Sequence, residues 1–186
     1  MPARACGRAV VALLSKPLPS GLLVLGIDPG LSVTGYGLVL WSNDKARAVA
    51  YGALSMSRRA PLPERLRQIH EGVSQVIAAW SPAEVAVEDF LVGNVRAAVA
   101  IGGARAVVLL AAAQAGLSVF QYQPAQVKQF VTSYGGGQKE QVQEMVSILL
   151  ALDEPPQPAD AADALAVALC HCFRRSQREM LERAAK

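Results

Sequence analysis

No apolar stretch of the sequence approaches the ~20 residues that a membrane-crossing helix needs, so the chain is expected to work without a membrane. Cysteine is scarce. Cys6, Cys170 and Cys172 make an odd number without the spacing of a disulfide framework, the usage expected of a protein kept reduced in the cytoplasm. Cys170-His171-Cys172 has no second ligand pair at a plausible distance, so zinc is set aside and helix packing is expected of it. Internal repeats and low-complexity tracts are absent as well. Nor is there a strong excess of one charge: 18 Lys and Arg against 15 Asp and Glu leave +3, with a sequence pI near 8.9. That balance permits a nucleic-acid partner without demanding one.

Apolar residues, by contrast, make up 52% of the 186, enough for a sizeable core and best suited to one domain, expected over residues 21–175. Residues 1–20 hold Arg4, Arg8, a short apolar patch and Lys16-Pro17-Leu18-Pro19, which makes a poor signal peptide. A disordered extension is the expectation there. Residues 176–186 read as a polar tail, in which Arg178 and Arg183 continue a series begun by Arg174 and Arg175 and alternating with Gln and Glu, as on a solvated helix face.

The stretch from Leu22 to Leu40, LLVLGIDPGLSVTGYGLVL, organises the rest. An apolar strand ends on Asp28, turns through Pro29 and Gly30, and returns from about Val33. Gly35 and Gly37 in the returning strand leave room for another backbone or for a ligand such as a phosphate; a plain hairpin fits this stretch equally well. Residues 46–55 read as a third strand, completing an antiparallel meander, and residues 62–79 as an amphipathic helix whose His70 is expected to be solvated or capping. Residues 84–90, EVAVEDF, form a strand that again ends in acid, with Glu88 and Asp89 facing opposite ways. An Ala- and Gly-rich helix over 94–115, a strand over 117–122, a helix from Pro124 bearing Lys128, a glycine loop at 135–137 and a helix over 138–150 follow.

After a proline-rich connector, Asp160 and Asp163 open the last helix on one face, where the helix dipole favours negative charge. Capping explains one of them. The second begins a segment too apolar for an uncompensated acid. Asp28, Glu88, Asp160 and Asp163 each end a buried element; brought together they would repel unless divalent cations sat among them, and all-oxygen ligation favours Mg²⁺ or Mn²⁺. Two such ions suit phosphodiester chemistry.

GIDPGLSVTGYG, the strand-ending Glu88 and PQPADAADALAVALCHC resemble the RuvC family of Holliday junction resolvases, with the likeness running over residues 22–173. The resemblance implies an α/β, ribonuclease H-like fold with a five-stranded mixed sheet and helices on both faces. It also implies a homodimer that cuts four-way DNA junctions, leaving 5′-phosphate and 3′-hydroxyl ends, and a branch-migration helicase as partner. By position, Asp28, Glu88, Asp160 and Asp163 match the family's metal ligands, and Lys128 and Lys139 its basic residues near the scissile phosphate. DNA contacts are expected from Lys128, Lys139, Phe90, Tyr134, Arg96 and Arg105. Two positions depart from the pattern: the aromatic after the acidic strand, Phe90, comes two residues after Glu88 rather than three, and the loop at Tyr134 lacks the family's first glycine.

Overall fold

The computed structural model describes residues 20–89, 95–132 and 139–185. Phe90, Asn94, Tyr134 and the glycine loop lie outside them, as does the side chain of Arg96. The elements run β1 (Leu22–Asp28), β2 (Val33–Ser42), β3 (Lys45–Ser55), α1 (Leu62–Trp80), β4 (Glu84–Glu88), α2 (Val95–Gln114), β5 (Ser118–Tyr122), α3 (Pro124–Thr132), α4 (Lys139–Leu149) and α5 (Ala159–Ala184). They match the expected elements to within a residue or two at most ends.

The sheet has five strands in the order β3-β2-β1-β4-β5. β1, β2 and β3 form the antiparallel meander, and β4 and β5 lie parallel to β1 and to each other. Local chemistry sets the turns. Asn43 and Asp44 both adopt positive φ, as a two-residue hairpin requires. Ser81 closes α1 in the left-handed region, its N–H bonded to Ile77 at 2.8 Å.

Alternation along the strands divides the core in two. Leu25, Ile27, Leu38, Val85 and Val87 face α1 and α2, meeting Ile69, Val73 and Val108. Val24, Val39 and Ala86 face the other way, against Leu165 and Val167 of α5, with α3 and α4 contributing Val127 and Val146. The result is the expected α/β sandwich, a mixed sheet with helices on both faces.

Three expectations need adjusting. His70 is neither capping nor merely solvated: its Nε2 donates to Oε1 of Gln114 at 2.8 Å, tying α1 to α2. No break separates residue 175 from 176, because α5 continues through the arginine-rich stretch to Ala184. Cys170 and Cys172 pack inside the core as expected of small buried residues, but His171 between them belongs to a polar network.

Candidate active site

In the register of β1 and β4, Ile27 stands beside Val87, so the next residues, Asp28 and Glu88, end neighbouring parallel strands. Both continue the rows that face α5, Val24 and Gly26 on one strand and Ala86 on the other. Asp89 falls on the opposite side, where its Oδ1 lies 3.4 Å from Nε of Arg105 on α2. That settles the choice left open by EVAVEDF: Glu88 joins Asp28 and Asp89 does not.

The close approach of α5 brings in the remaining acids. A Cβ on Gly35 would lie 1.9 Å from the backbone oxygen of Asp160, and one on Gly26 would lie 2.1 Å from that of Ala164. Neither position tolerates a side chain. Of the two uses foreseen for the β2 glycines, admission of another backbone is the one found, and it seats the first turns of α5 directly on β1 and β2. Asp160 and Asp163 are thereby held beside Asp28.

The electrostatics reflect that crowding. Burial, with the charges of Asp163 and Asp160, pushes Asp28 up to about 6, despite a hydrogen bond from Glu88 and the charge of Lys139. Burial and then the charge of Asp28 push Glu88 up to about 9, so Glu88 carries the proton of the pair and donates it to Asp28. Asp163 is raised by burial in spite of Lys139, whose Nζ lies 3.3 Å from Oδ2 of Asp163. For Lys139, partial burial works downward, yet Asp163 prevails and holds the ammonium above its usual range. Lys128, half-buried on α3, acts through its charge on both Glu88 and Asp163.

The donor set is all oxygen, which suits a hard divalent cation. Among the described residues no three His, Cys, Asp or Glu side chains already surround a common point. Instead the bound proton on Glu88 relieves the repulsion that a cation would otherwise relieve. What suits a cation here is the chemistry of the donors, four carboxyl groups at one end of the sheet, rather than a preformed cage.

Two supporting residues were not foreseen. Thr34, fully buried, donates from Oγ1 to the Gly30 oxygen at 2.8 Å and accepts from the Gly30 N–H at 3.3 Å. Arg65 donates from Nε to the Leu31 oxygen at 3.0 Å and from Nη2 to Oγ of Ser32 at 3.2 Å. Together they pin the turn that follows Asp28. Nothing local to α1 signals a partner for Arg65, whereas the threonine within LSVTGYG is visible beside the turn it ties. Arg105, expected at DNA, is largely buried, with its Nε 3.4 Å from Oδ1 of Asp89.

A family model described as crossover junction endodeoxyribonuclease RuvC matches residues 24–171. The chain belongs to the RuvC family. The family's curated members of the same description include one from Heliobacterium modesticaldum, 49% identical over 150 residues, which cover 80% of this chain and 93% of that protein. One from Dehalococcoides mccartyi is 50% identical over 154 residues, 82% of this chain and 92% of its own length. Among solved structures, Thermus thermophilus RuvC in complex with a Holliday junction substrate superimposes with a TM-score of 0.77 at 40% identity, covering 83% of this chain and 94% of that one. The yeast mitochondrial Holliday junction resolvase shares the RuvC fold at a TM-score of 0.62 and 12% identity, over 90% of this chain and 86% of its own.

Proposed function

We propose that this chain is a metal-dependent endonuclease that resolves four-way DNA junctions by symmetric hydrolysis of phosphodiester bonds during recombination and repair. The observation that carries the reading is the meeting of Asp28, Glu88, Asp160 and Asp163 at one end of the sheet in a RuvC-family chain. The family member solved with a Holliday junction lends it further support.

Asp28, Glu88, Asp160 and Asp163 are the residues that would hold Mg²⁺ or Mn²⁺, two ions to a site. When bound, such ions supply activation of water for in-line attack and stabilisation of the leaving oxygen. The chain's own groups do the rest. Glu88 surrenders its proton and joins Asp28 as a full carboxylate. Lys139, held near the site by Asp163, and Lys128 on α3 neutralise charge accumulating on the phosphate, and hydrolysis leaves a 5′-phosphate and a 3′-hydroxyl.

Phe90, Tyr134 and Arg96 remain the proposed DNA contacts beside the two lysines, with Arg105 reassigned to anchoring Asp89. One protomer carries one site, so paired cuts need a homodimer. α2 is the interface proposed for it, since Val99 and Leu110 stand 69% and 49% exposed there. The nuclease domain is taken to start near residue 21 and to include α5 beyond residue 175, with a branch-migration helicase as its partner and the cytoplasm as its compartment. No helix of the described residues is long and apolar enough to cross a membrane.

The test is cleavage of a mobile four-way junction beside a linear duplex of equal sequence, in Mg²⁺, Mn²⁺ and EDTA, by wild type and Asp163→Asn. Paired nicks confined to the junction, requiring metal and lost in the variant, are expected. Equal cutting of both substrates would remove the junction assignment, and junction binding without cutting in either metal would remove the nuclease.

A further inference from the structure

His171 lies near the C-terminal end of the buried apolar stretch of α5 and is 2% exposed. Its Nε2 is 2.6 Å from Oε2 of Glu84, the first residue of β4, and its Nδ1 is 2.8 Å from the hydroxyl of Tyr122, the last residue of β5. Arg175, one turn further along α5, pairs with the other oxygen of Glu84. Phe120 packs against the imidazole with ring centroids 4.5 Å apart.

The protons in this chain of contacts are determined by its ends. Burial opposes the charge of Glu84, but Arg175 and His171 hold its carboxyl below the usual range, so it is ionised and only accepts. Nε2 of His171 therefore carries a hydrogen, and burial, which lowers the imidazole's pKa against the pull of Glu84, keeps the ring neutral. Its Nδ1 then has only a lone pair and accepts from the Tyr122 hydroxyl. Every polar atom of the ring is used, and used between elements.

Those elements are the ones that build the site. β4 carries Glu84 at its start and Glu88 at its end, and Tyr122 stands opposite Glu88 in the register of β4 and β5. α5 carries Asp160 and Asp163 two to three turns before His171. The glycines of β1 and β2 set how close α5 comes to the sheet. Close approach over glycine leaves fewer interdigitating side chains there, beyond Val24, Val39 and Ala86, to hold the helix along its axis. Displacement by about 1 Å in reacting groups can cost on the order of 100-fold in rate.

We infer that His171 is a positioning residue for the acidic site, bridging Glu84 and Tyr122 so that α5 is fixed in axial register and Asp160 and Asp163 meet Asp28 and Glu88. The inference rests on the reading of those four acids as the cation-holding set. It gives Cys170-His171-Cys172 a role that neither zinc nor packing supplies.

The test compares wild type with His171→Leu, His171→Gln and Tyr122→Phe. Three quantities are read: Mn²⁺ binding to the DNA-free protein by electron paramagnetic resonance, single-turnover junction cleavage at saturating Mn²⁺, and junction affinity in EDTA. His171→Leu is expected to weaken Mn²⁺ binding by about 10-fold or more and to slow cleavage, while junction affinity stays within about 2-fold. His171→Gln, which can still donate and accept, should recover part of both losses. Wild-type Mn²⁺ binding and cleavage in His171→Leu would overturn the inference, as would equal loss in the Leu and Gln variants. Should His171→Leu fail to fold, Tyr122→Phe removes one hydroxyl at nearly constant volume, and unchanged Mn²⁺ binding there overturns it. Asp163→Asn runs in parallel: if that variant still cuts, the acidic-site reading fails and this inference with it, whereas an inactive Asp163→Asn beside wild-type His171 variants rejects the positioning role alone.

Discussion

Replacing Glu88 by glutamine is expected to stabilise the metal-free protein while abolishing its activity. Burial, with the charge of Asp28 behind it, raises the Glu88 carboxyl from 4.5 to about 9. The unfolded chain gives up this proton near 4.5, whereas the folded chain keeps it until about 9. Across that window the folded state binds one proton more, so stability falls as pH rises, by about 1.4 kcal/mol per pH unit. At about pH 7.5 this group alone has removed up to about 4 kcal/mol of the stability present in acid. Asp28, raised from 3.8 to about 6, acts in the same direction but only up to about 6. Glutamine keeps the shape and the donor to Asp28 and has no proton to retain. In urea unfolding with EDTA, Glu88→Gln should therefore flatten the decline in stability above about pH 6 and unfold at higher urea than wild type near neutrality. Excess Mg²⁺ should flatten the wild-type curve too, since the cation takes the proton's place. A variant no more stable than wild type at about pH 7.5, with the same pH slope, would refute the reasoning.

Gly35→Ala puts a methyl into the backbone of Asp160 and is expected to lower stability by about 3 kcal/mol or more and to reduce cleavage more than junction binding, as thermal unfolding and gel-shift assays would register. Thr34→Val removes both contacts to Gly30 at nearly constant volume; a loss of about 1 kcal/mol should be joined by a higher Mg²⁺ midpoint for cleavage. Arg105→Ala should lower stability by on the order of 1 kcal/mol and leave the salt dependence of junction binding unchanged; a shallower salt slope would return Arg105 to the DNA surface.

The strands and helices were legible because each signal was local. The alternation of LLVLGID, the three- and four-residue spacing of Leu62 to Ala79 and the acids closing two strands all follow from the period of one element. The choice of Glu88 over Asp89 was half legible: alternation says that only one can join Asp28, and the pairing of β1 with β4 says which. The pairing of Arg105 was hidden because its partner, Asp89, lies sixteen residues earlier, just past the end of β4, and which side it takes is set by the register of a different element. Arg65 was unreadable for the same reason, its acceptors being a backbone oxygen and a hydroxyl that become neighbours only when β2 turns back. His171 was read as packing because an apolar helix hides any polar residue it contains; only the placement of Glu84 and Tyr122 reveals its partners.

The seating of α5 on bare glycines also bears on when the protein becomes dangerous to DNA. Asp28 and Glu88 leave the ribosome early, on β1 and β4, but Asp160 and Asp163 arrive on α5, the last of the described elements. Until that helix docks, the row formed by Gly26, Gly35 and Gly37 is uncovered and half of the acid set is missing. On the reading proposed for those acids, a chain ended before Ala159 lacks two of the four residues that would hold the cations.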